Sequence, residues 1–200
     1  MTMVDDVGAR LSAAHALGTD AALQQWAATG RPGVLLLSDF LDGTWDPAPA
    51  PGVHPRDLVD NASALVAAIA ATEPEAFLET FEPERYRDNT LVLTGLGQID
   101  DERATRRLAR VAGSADQWVR MHSAIGLGRR ASSVATATLV RLLGDPEYLV
   151  RHHALRSLAT IGDASALAAL REHDPPSQHE RELAEAAIRS IEGRDVRPGG

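Results

Sequence analysis

Segments starting at Asn89, Arg120 and Arg151 superimpose at an even step of 31 residues. Leu96, Leu127 and Leu158 fall in register, as do Leu93, Ala124 and Leu155, and further on Leu108, Leu139 and Leu170. A fourth copy, Arg181–Ile188, follows after 30 residues and stops before completing itself. Self-similarity at this period means stacked helix pairs, because one pair alone cannot cover its own apolar stripe. The chain is therefore read as all-α, an α-solenoid of antiparallel helix pairs.

Composition decides what such a stack is built from. Apolar residues make up 44% of the chain and aromatics only 4%, so the core must come from Ala, Leu, Val and Ile, which suit closely packed helices. There is no cysteine, which excludes disulfides, thiolate metal sites and a cysteine nucleophile. All 20 basic residues are Arg. The acidic start Met1–Val7 lacks the basic-plus-apolar pattern of a signal peptide. The most apolar run, Val34–Leu37, is far short of the roughly 20 residues a bilayer requires. A cytoplasmic protein without membrane contact is expected.

The net charge of −8 is unevenly spread. Residues 1–80 hold 3 Arg against 11 Asp and Glu, whereas residues 81–200 hold 17 of each sign. An anionic N-terminal part repels phosphate backbones, so nucleic acid is disfavoured as a partner.

Turn chemistry divides the chain. Residues 1–82 read as an acidic helical region packed on the solenoid, with helices over 4–16, 19–30 and 31–43 that end at Gly18, Gly30 and Gly43. A proline-rich loop at 44–55 carries Trp45, as a core plug or as an exposed anchor. Helix resumes over 55–71, and Thr72-Glu-Pro-Glu75 signals the start of another. Residues 83–193 are the repeats, and 194–200 form a disordered tail. Longer helices are predicted at 84–99, 116–129, 146–161 and 177–192, alternating with shorter ones at 101–112, 132–143 and 163–173.

The run Gly144-Asp-Pro-Glu-Tyr-Leu-Val-Arg-His-His-Ala-Leu-Arg-Ser-Leu-Ala-Thr-Ile-Gly-Asp163 resembles the HEAT-like repeat of phycobilisome bilin lyases. That pattern has an Asp-Pro turn, Val-Arg-x-x-Ala-Ala/Leu, Leu, then Ile-Gly-Asp. The second copy keeps Val119, Arg120 and Ala124 but has Gly128-Arg-Arg-Ala131 at its end. The first has Asp88-Asn89 in place of Val-Arg. The resemblance covers residues 83–192 and implies architecture alone, because such repeats serve scaffolds, regulatory subunits, bilin lyases and DNA glycosylases.

On a helical wheel Val150, Ala154, Leu158 and Ile161 face the core, leaving His152, His153, Arg156 and Thr160 on the other side. The matching positions are Met121, His122, Ile125 and Arg129 one repeat earlier, and Thr90, Leu91, Thr94 and Gln98 before that. These form one strip along the solenoid, with Leu91, Met121 and Ile125 as apolar residues where solvent would favour polar ones. The strip is either a partner site or a surface covered by the N-terminal helices or the proline-rich loop. As a partner site it comprises Leu91, Met121, His122, Ile125, His152, His153 and Arg156, with Met121 and Ile125 exposed at its centre.

The histidines suggest metal binding, but neighbouring helices stand roughly 8–10 Å apart and no carboxylate completes a ligand set. Neither a metal nor a cofactor is expected. Arg120, Arg151 and Arg181 follow turns containing Asp116, Asp145 and Asp174, and are read as a ladder pairing carboxylates and helix-end carbonyls. Gly95-Leu-Gly97 and Gly126-Leu-Gly128 permit close packing and are not phosphate loops. No catalytic signature appears. The expectation is a non-enzymatic scaffold or regulatory adaptor that binds another protein. The alternatives are a bilin lyase-like cofactor handler and a HEAT-like DNA glycosylase, the latter weakened by the lack of an inward Trp.

Overall fold

The computed structural model describes residues 66–82, 85–86 and 90–195, together with Gly30, Val34, Ser38 and Ser63. The expected helices before residue 55, the loop 44–55 with Trp45, and the tail from 196 onward lie outside these or are touched at single positions only. Among the described residues every regular element is a helix, and none is long and apolar enough to cross a membrane. Two compact units are present, residues 1–99 and 100–200.

In the first unit, residues 66–72 are helical and bury Val66, Ile69 and Ala70. The chain breaks at Glu73 and restarts as α1, Pro74–Thr80, with the proline in its first turn. Thr72 was expected to cap that start. Its hydroxyl instead donates backward to the Ala68 and Ile69 carbonyls, at 2.9 and 3.2 Å, and α1 begins without a side-chain cap. Phe77 and Phe81 meet at a tilt of 44° with centroids 4.5 Å apart, and Tyr86 meets Phe81 edge-on at 5.2 Å. The Tyr86 hydroxyl shares a 3.0 Å hydrogen bond with Ser38.

The first long helix, α2, spans Thr90–Leu96 and not 84–99, since Arg85 and Tyr86 form a turn on the Glu82 carbonyl. Gly95 of α2 lies against the Phe77 ring so closely that a Cβ would overlap it.

The second unit is the repeat stack: α3 Glu102–Val111, α4 Gln117–Leu127, α5 Ser133–Leu142, α6 Tyr148–Ile161, α7 Ala164–Glu172 and α8 Gln178–Asp195. The starts follow the predicted turns. The carboxylates of Asp101, Asp116 and Asp163 accept from backbone N–H groups two residues on, at 2.7, 2.7 and 2.9 Å. The longer helices α4, α6 and α8 pack side by side in one layer, and α3, α5 and α7 in the other. Between the layers Leu108, Leu127, Leu139, Leu155 and Leu158 are sealed from solvent.

The last helix leaves the 31-residue step. Ile191, 33 residues after Leu158, fills the core, while Ile188 is only half-buried. The turn after α7 carries the extra length. The helix also runs on to Asp195, with the Arg194 guanidinium donating to the Ala159 and Gly162 carbonyls at 2.8 and 2.6 Å.

Candidate functional site

The long-helix layer has an outward surface, away from the short helices, fixed by helical spacing. On α4, Trp118, Met121, His122 and Ile125 stand at intervals of three and four, so they share a face. On α6 the equivalent row is Leu149, His152, His153 and Arg156. Trp118 and Leu149 are one 31-residue step apart.

Exposure along these rows differs from the sequence-based expectation. Met121 and Ile125 are half-buried, as are His122, His152 and His153. Among the described residues, the large apolar side chains most open to solvent are Trp118 at 49%, Tyr148 at 43% and Leu149 at 39%. All three stand on the first turns of α4 and α6, one turn before the expected centre of the strip. Extending the repeat alignment one turn toward the helix starts would have found Trp118 and Leu149 together. Trp118 also removes the argument that the face lacks a tryptophan. Leu91 sits half-buried on α2 in the first unit.

Imidazoles and a phenol make up the middle of the face. His152 lies against Tyr148 with centroids 5.7 Å apart, the phenol oxygen 3.4 Å from its Nδ1. It meets His153 edge-on at 5.2 Å and stacks on His179 of α8 at 5.6 Å and 21°. Sequence reasoning missed His179, because α8 leaves the repeat step. Burial depresses His122, burial with Arg156 and His179 depresses His152, and burial with His152, Arg156 and His122 depresses His153. His122, His152 and His153 are therefore held toward the neutral form. Among the described residues no three His, Asp or Glu side chains converge as metal ligands.

The arginine ladder exists, with a different pairing. The Arg120 guanidinium donates to both oxygens of Asp145 in the next repeat, at 2.7 and 3.0 Å. Its remaining nitrogen reaches back to the Ser114 and Ala115 carbonyls, at 2.9 Å each. Arg151 repeats the pattern on the Asp145 and Pro146 carbonyls and pairs with Glu180 at 2.7 Å. Arg181 does not join: the shifted register of α8 turns it to solvent, and Glu180 beside it is the buried partner. Burial pushes the Asp145 carboxyl up, but bonds from Arg120 and the Glu147 N–H outweigh this and hold it below the usual range. Glu180 behaves likewise through Arg151 and Ser177. These pairs join the repeats and stand apart from the exposed face.

Residues 105–189 match the family described as HEAT repeats. A crystal structure of an engineered protein is similar at 17% identity, covering 96% of this chain and 98% of that one, with a TM-score of 0.49. No curated protein matches the sequence.

Proposed function

We propose that this HEAT-like repeat protein is a non-enzymatic scaffold or adaptor that grips another protein with the outward face of its long helices. The observation that carries this reading is the exposed apolar ridge of Trp118, Tyr148 and Leu149. Two of its members recur at the repeat step, beside the half-buried Met121, His122, Ile125, His152 and His153. Large apolar groups open to solvent and rimmed by polar ones mark partner sites, and Trp and Tyr are the side chains most often decisive there. Arg156 stands one turn beyond His152 on α6, and Leu91 of the first unit is proposed as a partner contact by itself.

The test is photo-crosslinking in a native extract. A photoreactive phenylalanine at position 118 or 149 should give a discrete adduct, whereas the same group at Arg110 or Arg171, exposed on the short-helix layer, should not. Trp118→Ser with Leu149→Ser should retain the helical circular dichroism of the wild type and lose the adducted partner from pull-downs. Adducts from the short-helix positions alone would overturn the reading.

A further inference from the structure

The long-helix face is cation-rich as well as apolar. Between Asp116 and Asp145, and again from 148 to 162, the chain contains no Asp or Glu. Several other arginines of the stack are neutralised: Arg103, Arg120, Arg130 and Arg151 each pair with a carboxylate at 2.7 Å. Arg129, just past the end of α4, and Arg156, midway along α6, are exposed and have no ion-pair partner among the described residues. One to two turns nearer the helix starts lie the imidazoles of His122, His152 and His153. Four of the chain's 7 histidines belong to this row once His179 is counted. The carboxylates near it are Glu147 at the start of α6, Glu180 turned to Arg151, and Glu182, which accepts from Gln178 at 3.1 Å.

Resting on the scaffold reading above, we infer that the segment this face takes is an acidic peptide with large apolar side chains. Its apolar groups would sit against Trp118, Tyr148 and Leu149, and its carboxylates against Arg129, Arg156 and the imidazole row. Carboxylates seated there would favour the imidazolium form, reversing the effect of burial and of Arg156. Binding would therefore take up protons and tighten as pH falls from 7.5 to 6.0. Glu180 already favours protonation of His152 in the free protein, while Arg156 opposes it at both His152 and His153.

The experiment uses the full chain and three rhodamine-labelled amphipathic peptides with one Leu/Trp stripe, their polar positions filled by Glu, Gln or Lys. By fluorescence anisotropy the Glu peptide should bind about tenfold more tightly than the Lys peptide. Its affinity should rise several-fold at pH 6.0. Arg129→Gln with Arg156→Gln should erase the preference, and His152→Gln with His153→Gln should flatten the pH dependence. Equal binding of all three peptides, lost in Trp118→Ser with Leu149→Ser, would overturn the acidic class and leave the face as a protein site. Preference for Lys, or no binding of any peptide, would also overturn it. A single-stranded oligonucleotide bound through Trp118 and the two arginines would overturn both this inference and the scaffold reading.

Discussion

Gly128 and Ser157 meet where α4 and α6 cross, and the contact leaves no room for a methyl group. A Cβ at 128 would overlap the Ser157 side chain, whose hydroxyl is committed to the Ala124 carbonyl at 2.9 Å. Gly128→Ala is expected to cost about 1–3 kcal/mol in urea denaturation. Ser157→Gly in the same chain should recover part of that loss. Asp145 is the other residue on which packing turns, its side chain 5% exposed against Arg120 at 12%. Asp145→Asn leaves a guanidinium half-buried without its counter-charge, and should cost about 3–5 kcal/mol. Replacing Arg120 and Asp145 together by Met and Leu should cost less than either single change. The sign with pH follows from the depressed carboxyl: its contribution is present above the ordinary aspartate range and is lost as pH falls through the lower, folded-state value. Acid unfolding of Asp145→Asn should therefore be shallower than that of the wild type.

At the scale of the helix, the imidazole row makes a second pH dependence, in a separate window. His122, His152 and His153 are held neutral, so the unfolded chain binds more protons than the folded one below the ordinary histidine value. Their contribution is complete above the ordinary histidine value of about 6.5 and is lost as pH falls through the lower, folded-state values. Urea melts across that interval should show declining stability, and His152→Gln with His153→Gln should reduce the slope. Much at this scale was legible in the sequence. The Asp and Gly turns gave α3 to α7 with ends displaced by only a few residues, because capping and apolar spacing are local. The half-burial of Met121 and Ile125 was not legible. A helical wheel sorts side chains by direction, whereas exposure depends on how closely the adjacent helices approach. For the same reason Met121→Glu with Ile125→Glu should cost stability, whereas Trp118 and Leu149 give the clean test of binding. The start of α2 was misplaced because Tyr86, in the turn at Arg85–Tyr86, is held by Phe81 and by a hydrogen bond to Ser38, 48 residues away, a contact that helical spacing does not reveal.

For the whole molecule, the repeat step located the stack but not its end. Position 181 aligned with 120 and 151, yet α8 settles later in register, so that Ala187 and Ile191 reach the core. The outward side of α8 is polar, with Glu182, Glu185 and Arg189 exposed, as expected of a helix that closes a stack. A chain ending at Pro176 would strand Arg151 and uncover α6. Its melting transition should be broader than that of the full chain, with at least about 3 kcal/mol lost. Glu180→Gln should reproduce the part of this loss that belongs to the ion pair.

The forward reach of the arginines has a consequence for biosynthesis. Arg120 lies 25 residues ahead of its carboxylate, and Arg151 lies 29 ahead. A chain leaving the ribosome N-terminus first presents each guanidinium before the acid that neutralises it has emerged. Each repeat is thus completed by the arrival of the next one. The nascent stack carries an unmet positive charge at its growing edge until Glu180 is released.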